Sequence, residues 1–382
     1  MSSLKHLFSP LVVGEVPTAN RIWMAPMTRC RAGQPGDVPT ELMAKYYAQR
    51  ASAGLIISEA TQISREGQGY AWTPGIYTDA QEEGWRRVVK AVHEAGGKMA
   101  LQLWHVGRVS HHLLQEGGKP PVAPSAVRAQ NTWCFVVLPD GTAAQVEPDT
   151  PRELSIEEIQ RIIAEYASAA KRAMRAGFDL VEVHSANGYL PNQFLDVRAN
   201  QRKDRYGGSV ENRARFVLEV VDAVCEAVGK KRVGVRLSPK GIFADMTVEG
   251  SMESCLYVAS ELGKRNIAYL HIVEPDWANG QPLRDEERLA FRKTFPHVLT
   301  FCSGYTAEKA ERAIASGIAD AIAFGRLFIA NPDLPERFRR GASLNEPDPS
   351  TFYGGGEKGY TDYPPLDQHF PSVKKTLGVS QD

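Results

Sequence analysis

The sequence predicts an α/β fold, a single TIM (β/α)8 barrel with a long insertion after strand three. Three observations predict it. Eight short apolar runs recur along the chain, separated mostly by amphipathic stretches. The runs are rich in Val, Ile, Leu and Phe on both faces, as strands of a covered parallel sheet are. Polar and small residues collect where the runs end, as they do at the open top of a barrel.

The runs are Arg21–Met27, Leu55–Ala60, Lys98–His105, Asp179–Ser185, Arg232–Pro239, Ala268–Glu274, Val298–Gly304 and Asp320–Arg326. Helices are expected between them. Ser155–Ala176 carries Ile159, Ile162, Ile163, Tyr166 and Ala170 at helical spacing, and Ser155 with Glu158 matches a capping box. Ser209–Val228 repeats the pattern. Thr306–Ser316 follows it, with Thr306 as N-cap and Gly317 as stop. A doubly wound sheet is the structural rival, but its glycine-rich turn is missing. The nearest match, Gly67-Gln-Gly69-Tyr-Ala-Trp72, puts Trp where the third glycine belongs. Two segments fit neither strand nor helix: the insertion Val106–Leu154 and the Pro/Gly/Tyr-rich tail Asn345–Asp382. The whole chain, 1–382, is read as one barrel domain.

Composition narrows the function. Lys plus Arg number 45 and Asp plus Glu 45, so the formal net charge is zero. Nucleic acid and anionic membranes, which need a basic face, are poor partners. The N-terminal stretch has no secretory pattern, and no apolar window of about 18 residues would span a bilayer. The five cysteines are scattered without metal-ligand spacing. They read as reduced thiols of a cytoplasmic protein that holds no metal. His111 and His112, adjacent in the insertion, are read as solvated and unable to face one site.

The strand ends suggest the chemistry. Ser303 and Gly304 end run seven, and Gly325 and Arg326 end run eight. The loops there are the usual phosphate seat of a barrel, with backbone N–H groups and a guanidinium as donors. The plain alternative is that the glycines only make turns and Arg326 lies on the surface. Arg236 sits inside run five, where an unpaired cation is expensive. It either pairs with a barrel carboxylate such as Glu182 or faces a ligand that gains negative charge. His184, Asn187 and Tyr189 follow one another at the end of run four. Histidine and amide can donate to one substrate oxygen, and a tyrosine can protonate a carbanion. The alternative is a hydrogen-bonded core histidine beside a structural tyrosine. Tyr70, Trp104, Trp277 and Tyr353 lie near strand ends or in loops and are each read first as packing.

Together these segments resemble the old yellow enzyme family of flavoproteins. The resemblance runs from about Leu7 to Leu366. It includes Pro26-Met-Thr-Arg29, Ser58-Glu-Ala-Thr-Gln62, Leu101-Gln-Leu-Trp-His-Val-Gly-Arg108, His184-Ser-Ala-Asn-Gly-Tyr-Leu190, Asp204-Arg-Tyr-Gly-Gly-Ser-Val-Glu-Asn-Arg213 and Phe324-Gly-Arg326. Phe352-Tyr-Gly-Gly-Gly356 and Tyr360-Thr-Asp-Tyr-Pro364 complete the series. The pattern is most similar to the bacterial branch that holds pentaerythritol tetranitrate, N-ethylmaleimide and morphinone reductases.

The resemblance implies noncovalent FMN, reduced by NADPH or NADH, and an ene-reductase acting on small activated alkenes, with nitro or nitroester reduction as a further activity. It implies Pro26, Met27, Thr28, Ala60 and Gln102 along the isoalloxazine, Thr28 tuning its O4 edge. It puts Arg236 at the N1/O2 edge, and Ser303, Gly304, Gly325 and Arg326 around the phosphate. His184 and Asn187 would grip the substrate oxygen, and Tyr189 would give the proton. Tyr70, Trp104, Trp277 and Tyr353 would wall the substrate cavity. A monomer or homodimer is expected. Four departures stand out: Asn187 where many relatives have histidine, Pro191-Asn192 where the family is more apolar, Cys-Ser-Gly-Tyr in the phosphate loop in place of a Gly-Gly pair, and an atypical segment 131–148. The rival readings are a Schiff-base barrel lyase using Lys240 and a non-catalytic flavin carrier.

Overall fold

A computed structural model describes residues 4–367. The expected tail beyond 367 lies outside the described residues. Among those described, all eight apolar runs form parallel strands: β1 (Ile22–Met24), β2 (Leu55–Ile57), β3 (Met99–Trp104), β4 (Leu180–Ser185), β5 (Val233–Leu237), β6 (Tyr269–Val273), β7 (Val298–Cys302) and β8 (Ala321–Phe324). Each pairs with the next, and β8 pairs with β1, so the sheet closes on itself. Every residue of these strands is buried except half-buried Val298, because the outer face meets helices and the inner face meets the lumen.

The outer layer is α1 (Glu41–Ala48), α2 (Asp79–Glu94), α3 (Ile156–Ala176), α4 (Val210–Val228), α5 (Ser251–Arg265), α6 (Asp285–Thr294), α7 (Ala307–Ala315) and α8 (Leu334–Arg340). The Ser155–Glu158 capping box starts α3, and Gly177 ends it in the left-handed region at φ 102°. Ser209 and Thr306 cap α4 and α7 through their side chains. None of these helices is long and apolar enough to cross a membrane.

Three additions shape the two ends. An antiparallel hairpin, Leu11–Val13 with Val16–Thr18, lays Val13 and Val16 against Trp23, Leu55, Leu180 and Ala268, where the strands begin. It plugs the barrel floor. The insertion holds a second hairpin, Cys134–Val137 with Ala143–Val146. Its Cys134 and Val136 pack with Ala60, Trp104 and Tyr189 at the opposite end, where the strands finish. The third addition is the stretch before Asp367, held by three buried arginines. Arg29 donates to the carbonyls of Phe352 (2.9 Å) and Gly359 (2.9 Å). Arg31 donates to those of Thr351 (2.9 Å) and Gly356 (3.1 Å), and Arg50 to that of Tyr360 (3.3 Å). The Tyr360 ring stacks on Tyr46 at 4.0 Å.

The insertion corrects the expectation for His111 and His112. Their rings lie 4.0 Å apart and both face Asp149. The expectation applied strand alternation, but His111 is the extended N-cap of a short turn that His112 begins, so the two side chains swing to one side. His111 Nδ1 accepts the Leu113 N–H (3.2 Å), which leaves the ring proton on Nε2, facing the carboxylate. Asp149 is hydrogen-bonded to His112, at the backbone N–H (2.6 Å) and Nδ1 (2.8 Å), while His111 Nε2 stands 3.9 Å away.

Candidate active site at the barrel mouth

The functional candidates gather where the strands end. His184 is on β4, Arg236 on β5 and His271 on β6, aligned side by side in register. Arg236 is 5% exposed. Of its donors, one Nη reaches Cys302 Sγ at 3.8 Å, and Nε has no partner among the described residues. The alternative of an ion pair with Glu182 is not what the structure shows. Glu182 instead accepts from Gln102 Nε2 (2.7 Å), Tyr269 Oη (2.9 Å) and His271 Nδ1 (3.0 Å). Burial pushes the Glu182 carboxyl up, but His271, its other donors and the nearby Arg236 charge outweigh it and hold the group ionised. Burial also pushes His271 down, so that ring is a neutral donor.

His184 is likewise neutral. Burial, then the Arg236 charge, drives its pKa well below the usual histidine value. Its Nδ1 accepts the Ala186 N–H at 3.4 Å, which leaves Nε2–H as the donor. Asn187 and Gly188 follow with φ 58° and 78°. Asparagine tolerates that left-handed conformation better than most residues, and a Cβ on Gly188 would lie 2.6 Å from the Ala244 Cβ. The turn is held by Ser238 Oγ, which takes the Asn187 N–H (2.8 Å), and by Asn192 Oδ1, which takes the Gly188 N–H (2.8 Å). That accounts for the polar residue at 192. Pro191 fits the first turn of the short helix Leu190–Leu195, where its missing N–H costs nothing.

Tyr189 opens that helix. Its hydroxyl lies 3.1 Å from that of Tyr70, and its ring packs edge-on against Trp104 (5.1 Å) and His184 (5.1 Å). Burial raises its pKa far above the phenol range, so the proton stays on. Tyr70 stacks on Trp104 at 5.7 Å. Trp104 is wholly buried behind these two tyrosines. Trp277 packs on Phe243 at 4.9 Å, further round the rim, and Tyr353 projects from the clamped segment, largely exposed. Pro26, Met27 and Thr28 follow β1 and are partly exposed, whereas Ala60 and Gln102 are buried.

Ser303 and Gly304 follow β7, both with positive φ, 94° and 66°. Serine therefore adopts here a conformation that glycine takes freely. The Asp276 carboxylate rests on this loop: Ser303 Oγ donates to it at 2.6 Å, and a Cβ on Gly304 would lie 2.4 Å from Asp276 Oδ2. Gly325 stands beside Met27, and Arg326 is exposed, with one Nη 3.5 Å from the Trp277 carbonyl. The loop thus already holds one anion, and an exposed guanidinium with no carboxylate partner among the described residues stands at the next strand end. Lys240, the Schiff-base candidate, is paired with Glu287 at 3.1 Å.

The model of the NADH:flavin oxidoreductase / NADH oxidase family matches residues 6–345. The chain belongs to that family. A probable flavin mononucleotide-dependent alkene reductase of Leishmania infantum is 44% identical, covering 95% of this chain and 98% of the relative. Among solved structures, morphinone reductase in complex with tetrahydroNAD is 56% identical, with a TM-score of 0.91, covering 95% of this chain and 98% of that one. An old yellow enzyme homologue from Zymomonas mobilis is 45% identical, with a TM-score of 0.88, covering 94% and 99%. Family membership agrees with the motif resemblance.

Sequence reasoning missed Glu182 as an anchor, together with Tyr269, His271, Ser238, Asn192 and Asp276. Asn192 left a signal, as a polar residue in an apolar context. The others left none, since their partners lie far away in sequence.

Proposed function

We infer that the chain is an FMN-dependent ene-reductase that takes electrons from NADPH or NADH and acts on small alkenes activated by a carbonyl, imide or nitro group, with nitro or nitroester reduction as a side activity. The observation that carries this reading is Arg236, a buried guanidinium whose Nε lacks a partner. A buried guanidinium N–H left without a partner is costly, and an electron-rich group bound at the mouth would satisfy it. The edge of a flavin that gains negative charge on reduction meets the need.

Pro26, Met27, Thr28, Ala60 and Gln102 would hold the ring of FMN, Arg236 its electron-accepting edge, and Ser303, Gly304, Gly325 and Arg326 its phosphate, within one barrel unit. When bound, FMN supplies the hydride for the β-carbon of the alkene. The chain does the rest. His184 Nε2–H and the Asn187 amide, which has no side-chain partner among the described residues, donate to the substrate oxygen and polarise the double bond. Tyr189 keeps its proton until a strongly basic α-carbon appears, and then gives it up. The Tyr70 hydroxyl, in contact with that of Tyr189, passes on a replacement. Tyr70, Trp104, Trp277 and Tyr353 make the walls around the alkene, Trp104 by backing the two tyrosines.

The test separates the two half-reactions. Tyr189→Phe should slow alkene reduction by about a hundredfold or more, within the usual range for a lost general acid. Reduction of bound FMN by NAD(P)H should stay near the wild-type rate. Equal losses in both would make Tyr189 a packing residue. A purified protein that shows no flavin absorbance, even after incubation with FMN, would end the reading altogether.

A further inference from the structure

We propose that Glu182 is a positioning residue for the flavin: from inside the barrel it dictates which edge of the Gln102 amide is turned toward the ring. This rests on the flavin reading above and deepens it.

Glu182 is wholly buried on β4, and its three donors come from two other strands, Gln102 on β3 and Tyr269 and His271 on β6. An ionised carboxylate only accepts hydrogen bonds. The Gln102 side chain must therefore point its NH2 toward Glu182, as the 2.7 Å contact records. The amide oxygen is left without a protein partner among the described residues. Gln102 thus presents an acceptor, and the group that meets it must be a donor. On the isoalloxazine that donor is the imide N–H of the pyrimidine ring. Without the carboxylate, both amide orientations become available, and in one of them NH2 faces N–H.

The supporting shell is built for this task. Tyr269 gains its place through Gly234 on β5, where a Cβ would lie 2.2 Å from the Tyr269 ring. His271 gives its one ring proton to Glu182, and its Nε2 has no partner among the described residues. The carboxylate is therefore anchored at Oε2 by two donors from one strand and offers Oε1 to Gln102. A carboxylate kept only to neutralise charge would sit on Arg236, and this one does not.

The experiment is a double-mutant cycle on FMN affinity, measured by titrating apoprotein with FMN and following the quenching of flavin fluorescence. Glu182→Gln keeps the shape but can donate, so both Gln102 orientations become available. It should weaken FMN binding by about tenfold. In a Gln102→Ala background the same change should have almost no effect on affinity. The midpoint potential of bound FMN should follow the same pattern, shifting in the single variant and not further in the double. Equal losses in both backgrounds would mean that Glu182 acts on the fold or the field and not through Gln102, which overturns the proposal. No loss in either would overturn it too. Tyr269→Phe, which removes one donor and keeps the ring, repeats the test should Glu182→Gln not fold: a smaller loss that vanishes with Gln102→Ala is expected, and an additive one refutes it. Failure of wild-type protein to bind FMN would instead strike the flavin reading itself.

Discussion

The two ends of the barrel are built from the same eight strands and differ in what they leave unfinished. The floor is closed by a hairpin whose Val13 and Val16 meet Trp23, Leu55 and Leu180, and its cluster is almost wholly apolar. The mouth carries an orphaned arginine, two buried histidines, a strained Ser303 and a carboxylate resting on a loop suited to anions. Stability is concentrated at one end and binding capacity at the other, as expected when a functional site is carried at a cost to the fold.

Substitutions can break that division or sharpen it. The largest effect should come from the interior that joins the two ends. Gly234→Ala would drive a methyl into the Tyr269 ring, and urea unfolding should report a loss of about 3 kcal/mol, the upper range for overpacking. Next is Arg236→Met. Removing an unpaired buried charge should leave apoprotein stability unchanged or raised by about 1 kcal/mol, whereas FMN affinity should fall by roughly 2 kcal/mol. A loss of both would mean that Arg236 supports the fold. Asp276→Asn removes a like charge from the loop proposed to hold the FMN phosphate. Titration should show tighter FMN binding by about 1 kcal/mol. Weaker binding would place the phosphate elsewhere.

The smallest effect concerns Glu59, buried beside Ala60 and bonded to Tyr47 Oη at 2.6 Å. Burial raises its pKa from the ordinary 4.5 to about 7. The folded chain therefore holds this proton where the unfolded chain has released it. Its contribution is complete below the ordinary value and is lost as pH rises through about 7. Wild-type apoprotein should lose stability over that window, and Glu59→Gln, which cannot ionise, should lose less. Parallel curves would show that Glu59 is ionised throughout.

Much of this was legible in the sequence, for a physical reason. Strands covered on both faces need continuous apolar runs, so all eight could be read from composition alone. The capping box of α3 was equally plain, because Ser155 and Glu158 satisfy each other within one turn. The floor hairpin was not read, since its strands Leu11–Val13 and Val16–Thr18 are exposed at their middle residues and give no continuous apolar run. The insertion hairpin was not read either: the inward face of its second strand, Ala143–Val146, is only half-buried and carries just Ala144 and Val146, too little apolar contrast to mark a strand. At the mouth, the end of run four and its motif supplied His184, Asn187 and Tyr189, and Arg236 stood out as a charge inside a buried run. Glu182 could be read only as a partner for Arg236. Its true donors are 80, 87 and 89 residues away, and closure of the barrel alone brings them together.

The three-arginine clamp has a consequence for how the protein is made. Every strand of the barrel precedes residue 325, but the segment that presents Tyr353 and receives Arg29, Arg31 and Arg50 comes afterwards. A nascent chain halted at the close of β8 would have all its staves and an unfinished rim. Three guanidinium groups would stand exposed in place of the carbonyls they are cut to fit. The rim is thus completed by residues 351–360, whose carbonyls receive these side chains.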